Sequence, residues 1–92
     1  MGSYDMRNGV SQYVRDAVTQ INKVGVANLR RYFKRFHPRT DFGKGILLIR
    51  SVAQLGYTDA ALKHNVSKQH AHRTLQRYYE IAKEAERWQE KL

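Results

Sequence analysis

Six residues constrain this chain more than any others: Ala61, Asn65, Val66, Ser67, Ala71 and Leu75. Asn tolerates the left-handed backbone of a helix end better than any residue but Gly. A Ser two positions later can accept a bond from a first-turn amide of a new helix. Ala71 and Leu75 then recur at helical spacing and turn inward, while Val66 fills the corner. A small Ala61 lets the two helices approach closely. The stretch from Gly56 to Arg77 therefore predicts a short helix, a tight turn and a second helix. Lys68, Gln69, His72, Arg73 and Gln76 are left on the outer face of that second helix.

The rest of the chain predicts an all-α fold of about five helices. Glycine and the single proline punctuate it, and no strand-like alternation is long enough to compete. The first helix is expected from about Val10 to Lys23, with Val10, Tyr13, Val14, Ala17, Val18 and Ile21 on one apolar face. Gly25 breaks it. The second runs from Val26 to His37, stopped by Pro38. Asp41 is a candidate cap in the loop that follows. The third helix, Gly45 to Leu55, is apolar nearly all round through Ile46, Leu48, Ile49, Val52 and Leu55, and is expected to be the buried one. Gly43-Lys44-Gly45 is too short for a phosphate-cradling loop and is read as admitting this helix. Thr58 is expected to cap a short fourth helix, Asp59 to His64. The fifth starts after Ser67 and nothing breaks it before Lys91, a length of roughly 36 Å. In domain terms, residues 1–9 are read as a flexible N-terminus and 10–92 as one helical domain. Within it, 57–77 form the helix-turn-helix and 78–92 a dimerisation helix.

Charge directs this fold toward a polyanion. Seventeen Lys and Arg against eight Asp and Glu give a net charge of +9. Residues 1–40 hold eight basic and two acidic groups, 41–78 six and two, and 79–92 three and four. The basic field thus covers the body and stops before the C-terminal segment. With no Cys, disulfides and thiolate metal sites are excluded. No apolar run approaches a membrane span and no signal peptide is expected. A cytoplasmic, nucleoid-associated location is the expectation, which the absence of Cys fits. Met1 to Ser3 read as a cloning remnant ahead of a start at Met6.

Duplex DNA fits this pattern, because a recognition helix enters the major groove by its N-terminal half. Ser67, Lys68, Gln69, His72 and Arg73 are the candidate base-reading residues. Gln69 has the amide to pair with adenine, and Lys68 or Arg73 can serve guanine or phosphate. The candidate backbone contacts are Thr58, Arg30, Arg31, Lys34, Arg35 and Arg77. Leu29, Tyr32, Phe33 and Phe36 form the apolar stripe of the second helix, and its four cations have no acidic partner on that helix. Further along, Tyr78, Ile81, Ala85, Trp88 and Leu92 form an apolar band beyond the reading unit. Its first expected partner is a second copy of the chain, since palindromic operators match two-fold symmetric dimers. The alternative is that it folds back on the chain's own N-terminal helices.

His64, His70 and His72 do not make a metal set. Residues two apart on a helix do not face each other, and no Cys or nearby carboxylate completes the ligands. No nucleophile–base pair is visible. No metal, cofactor, small-molecule substrate or enzymatic activity is expected.

The stretch from Ala61 to Arg77 resembles the helix-turn-helix of small bacterial transcriptional regulators. It is similar to the KorA/TrfB type of plasmid repressor in the run Asn65-Val66-Ser67-Lys68, where a turn residue, an aliphatic, a hydroxyl cap and a base open the reading helix. The resemblance covers about a fifth of the chain, with Asn65 standing where Gly is commoner. It implies a dimeric repressor of a bacterial, plasmid or phage promoter. Two other readings use the same charge: a sequence-tolerant architectural or RNA-binding protein, and a protein-interaction module with a basic face.

Overall fold

A computed structural model describes residues 11–91. They form five helices: α1 (Gln12–Val24), α2 (Val26–Phe36), α3 (Phe42–Leu55), α4 (Tyr57–His64) and α5 (Lys68–Glu90). The chain is all-α, and no strand occurs among the described residues. The segment 1–9, read above as a flexible N-terminus, lies outside the described residues, as do Val10 and Leu92.

Local chemistry sets the boundaries. Ser11 Oγ accepts from the Val14 amide, so α1 begins at Gln12. Gly25 joins α1 to α2 at φ +92°, a backbone region that a side chain would strain. His37 closes α2 by donating its amide to the Phe33 carbonyl, with Pro38 next. Asp41 Oδ1 accepts the Lys44 amide at 3.1 Å, and this cap starts α3 at Phe42, three residues before the expected Gly45. The two glycines weaken the first turn, but the cap and the burial of Phe42 offset that loss.

Gly45 does more than admit a helix. A Cβ at this position would overlap the Tyr78 ring and hydroxyl. The glycine lets α5 lay a buried tyrosine directly across α3. Tyr78 Oη then donates to the Asp41 and Phe42 carbonyls at 3.3 and 3.2 Å. Burial pushes this phenol up to about 12.

α5 is the axis around which the other helices pack. α1 lies alongside its C-terminal half, Tyr13 against Tyr79 and Lys23 against Glu86, so the two run in the same direction. Val14, Ala17, Ile21, Leu29, Phe33, Val52, Leu75 and Ala82 sit at the centre of the core. Two aromatic groups bind α2 to α5. Phe33 meets Phe42 and Tyr78 with ring centroids 4.9 and 4.7 Å away, and Trp88 meets Tyr32 and Phe36 at 5.6 and 5.8 Å. α3 is less enclosed than its composition suggests. It buries Phe42, Ile46, Leu48, Ile49 and Val52, yet Leu47 is 55 % and Leu55 40 % exposed.

The apolar band of the last helix is covered from within the chain. Ile81 and Ala85 are buried in the chain's own core, Tyr78 is buried across the start of α3 and against Phe33 of α2, and Trp88 is half-buried between Tyr32 and Phe36. The first expectation, that Tyr78, Ile81, Ala85 and Trp88 await a second copy, is corrected: the chain's own helices α1, α2 and α3 occupy that face. Polar bonds fasten the same joint. Gln20 Nε2 donates to Glu86 Oε1 at 2.6 Å, Lys23 pairs with Glu86 at 2.7 Å, and Tyr32 Oη donates to Glu84 at 3.3 Å.

Candidate nucleic-acid interface

The joint between α4 and α5 is built from the expected residues. Asn65 takes the left-handed conformation, φ 55° and ψ 47°, and is the one non-glycine residue with positive φ among those described. Its amide donates to the Leu62 carbonyl at 3.2 Å, and the Val66 amide reaches back to Ala61 at 3.0 Å. This pair of bonds satisfies the last carbonyls of α4 in the manner of a Schellman ending. Val66 packs against the core, and Ser67 Oγ accepts the His70 amide at 2.9 Å to open α5. Ala61, Ala71 and Leu75 are buried between the helices.

What remains outside is the first half of one face of α5. Ser67, Lys68, Gln69, His72, Arg73 and Gln76 are all exposed. His72 has a neighbour that its sequence position did not suggest. Its ring stacks on Tyr57, with centroids 3.5 Å apart and planes 13° apart. The stack fixes the imidazole to the first residue of α4, with only its outer surface free to meet a ligand.

Thr58 is not the cap of α4. The helix begins two residues before the expected Asp59, at Tyr57, because Gly56 at φ +87° turns the chain directly out of α3, and no side chain caps it. Thr58 is therefore an exposed residue inside the first turn, whose amides have no capping side chain.

The basic face of α2 divides in two. Arg30, Arg31, Lys34 and Arg35 are all exposed. Arg30 lies over the Phe42 ring, 5.1 Å from its centroid, and with Lys34 flanks a shallow groove of about 200 Å³ that reaches Thr40. Across the loop, Arg77 of α5 donates to Thr40 Oγ1 at 2.8 Å. Arg30, Lys34 and Arg77 thus converge on the 37–41 loop. Arg31 and Arg35 lie further round α2, where Arg31 donates to Asn28 Oδ1 and Arg35 covers Phe36.

Sequence reasoning missed Tyr57, Thr40 and Lys44. Tyr57 carried a signal, being four residues before Ala61 on one face of α4. Lys44 was hidden in a glycine pair read only as admitting the third helix. The histidines go separate ways: His64 bonds Ser51 Oγ at 2.7 Å, His70 faces a cleft beside α3, and His72 stacks on Tyr57. No group of three or more His, Asp or Glu that could hold a metal occurs among the described residues. Among the same residues no helix is long and apolar enough to cross a membrane.

Comparisons with protein-family models, with curated proteins and with solved structures each returned no match.

Proposed function

We propose that α4, the Asn65 turn and α5 form a helix-turn-helix that reads duplex DNA, and that the protein is a transcriptional repressor acting at the nucleoid. The observation that carries this is the joint itself. A left-handed Asn65 and a Ser67 cap start α5 with Lys68, Gln69 and Arg73 exposed and no acidic residue until Glu80. The N-terminal half of such a helix fits the major groove, where Gln69 would pair with adenine and Arg73 with guanine or phosphate. Arg30, Lys34 and Arg77 would hold one backbone strand from the flank, with Thr58 and the first-turn amides of α4 as a second hold. Arg31 and Arg35 would add to the long-range field more than to contacts.

Two copies on a palindrome remain part of the proposal. Their contact would lie outside the Tyr78, Ile81 and Ala85 band, which the chain's own core occupies.

The test is selection of bound duplexes from a random pool at about 150 mM salt, where phosphate attraction alone is weak. The expected outcome is a consensus, with half-sites about one helical turn apart if two copies bind. A pool that stays random despite tight binding would replace this reading by a sequence-tolerant DNA- or RNA-binding one. Failure to retain any nucleic acid would leave the basic face to an acidic protein.

A further inference from the structure

A cleft of about 290 Å³ opens between the start of α3 and one flank of α5. Its size is at the small end for ligand pockets, roughly 300–1,000 Å³. The floor is apolar, made by Gly45, Leu48, Val66 and the Tyr78 ring. The rim carries Lys44, Arg77 and the imidazoles of His64 and His70. One carboxylate, Asp41, shares the rim, with Oδ1 turned to the Lys44 amide as the cap of α3.

The hydroxyls around the cleft are sorted by the bonds they already make. Tyr78 Oη donates to the Asp41 and Phe42 carbonyls, and Thr74 Oγ1 to the His70 carbonyl, so neither proton is left for a ligand. Thr40 Oγ1 accepts from Arg77 and keeps its own proton to donate. His64 is held in place by Ser51. Two cations and one unspent hydroxyl proton beside an apolar floor select a ligand with both a negative group and an apolar body.

We propose that this cleft binds a small organic anion, a carboxylate carried on a flat apolar ring. The ring covers Leu48, Val66 and Tyr78, and the carboxylate sits between Lys44 and Arg77. A bare anion leaves the floor wet, and a neutral ring gains nothing from the positive charge of Lys44 and Arg77. The cleft is bounded by α3, by Val66 of the turn and by α5. Its occupant therefore touches the start of α3, the turn and the presented half of α5, and leaves the α1 and α2 clasp untouched. On the DNA-binding reading, on which this last step rests, the anion is an effector. It shifts DNA affinity by the difference between its own affinities for the free and DNA-bound protein.

The experiment needs no DNA, so its failure is separate from a failure of the DNA-binding reading. The isotope-labelled full chain is titrated with benzoate, benzamide and acetate, followed by the backbone amide resonances. Benzoate is expected to move Gly45, Leu48, Val66 and His70 along a saturating curve, with benzamide and acetate about tenfold weaker. Lys44→Gln is expected to weaken benzoate about fivefold while the ligand-free spectrum stays native, and Lys91→Gln to change nothing. Arg77→Gln should act in the same direction, but it also releases Thr40, so Lys44→Gln is the deciding variant. Equal binding of the three probes would overturn the proposal. So would benzoate shifts centred on α2, no shifts at all, or a benzoate affinity indifferent to Lys44→Gln.

Discussion

Between Lys68 and Arg77, α5 buries only Ala71 and Leu75; between Tyr78 and Glu90 it buries Tyr78, Ile81, Ala82 and Ala85 and half-buries Trp88. The first half carries Lys68, Arg73 and Arg77 with no acidic residue, and the second carries four Glu against Lys83 and Arg87. Helical period is the same throughout, so the difference comes from the neighbours. α1 and α2 clasp the second half through Tyr13, Gln20, Lys23, Tyr32 and Phe36, whereas the first half stacks on Tyr57 of α4 and reaches the 37–41 loop through Arg77. One half anchors and the other is presented. A long helix with a fixed root holds its free side chains in a defined pose, which is what selective recognition of a surface requires.

The anchored half is where the largest effect is expected. Phe33→Ala removes a fully buried ring that touches Phe42 and Tyr78, and should cost about 3–5 kcal/mol in a denaturant melt. A loss under about 1 kcal/mol would mean that α2 does not clasp α5 as described. Gly45→Ala should cost about 1–3 kcal/mol, because the new methyl displaces Tyr78 and its two carbonyl bonds. A neutral or stabilising result would show that the ring can step aside.

The presented half should respond in binding and hardly in stability. Gln69→Ala is expected to cost about 1–3 kcal/mol of discrimination between a selected duplex and a random one, without moving the melt. Lys34→Gln should weaken both duplexes alike and lower the slope of log affinity against log salt by about 0.9. Equal losses for Gln69→Ala on both duplexes would remove it from base reading. At the turn before α5, Asn65→Ala should cost about 1 kcal/mol and Asn65→Gly nothing, since Gly has no Cβ to oppose the left-handed conformation and Asn tolerates it better than Ala.

The smallest effect concerns acid. The Lys23 ammonium, then the Gln20 amide, hold the Glu86 carboxyl below the usual carboxylate range. A lowered folded value means that this contribution is present above the unfolded value of about 4.3 and is lost as pH falls through the folded one. Lys23→Gln should flatten that part of the acid limb of the stability profile, and an unchanged limb would show the surface pair to be inert.

Most of the turn and its caps was legible because they depend on single residues at fixed offsets. Asn65, Ser67 and Asp41 each act within four positions of themselves. The extent of α5 was legible for the same reason: no breaker interrupts it. What the sequence could not say is who covers an apolar face. The Tyr78, Ile81, Ala85 and Trp88 band reads identically whether α1 or a second copy lies on it. Periodicity fixes the direction of a side chain relative to its own helix and says nothing about the neighbour. Thr58 misled because Gly56 can leave α3 and enter α4 in one step, a backbone option absent from the capping pattern. Nor did spacing reveal that Arg30 and Lys34 share a loop with Arg77 while Arg31 and Arg35 do not. That division follows from where Phe42 and Thr40 fall in space.

Trp88 is the only tryptophan of the chain, and it is wedged against Tyr32 and Phe36 at the rooted end. Its emission is therefore a private optical channel for the clasp. A ligand arriving at Gln69 sits many turns away and is silent in that channel unless the helix carries the disturbance along its length. Loosening of α2 registers at once, even while the opposite end still looks intact.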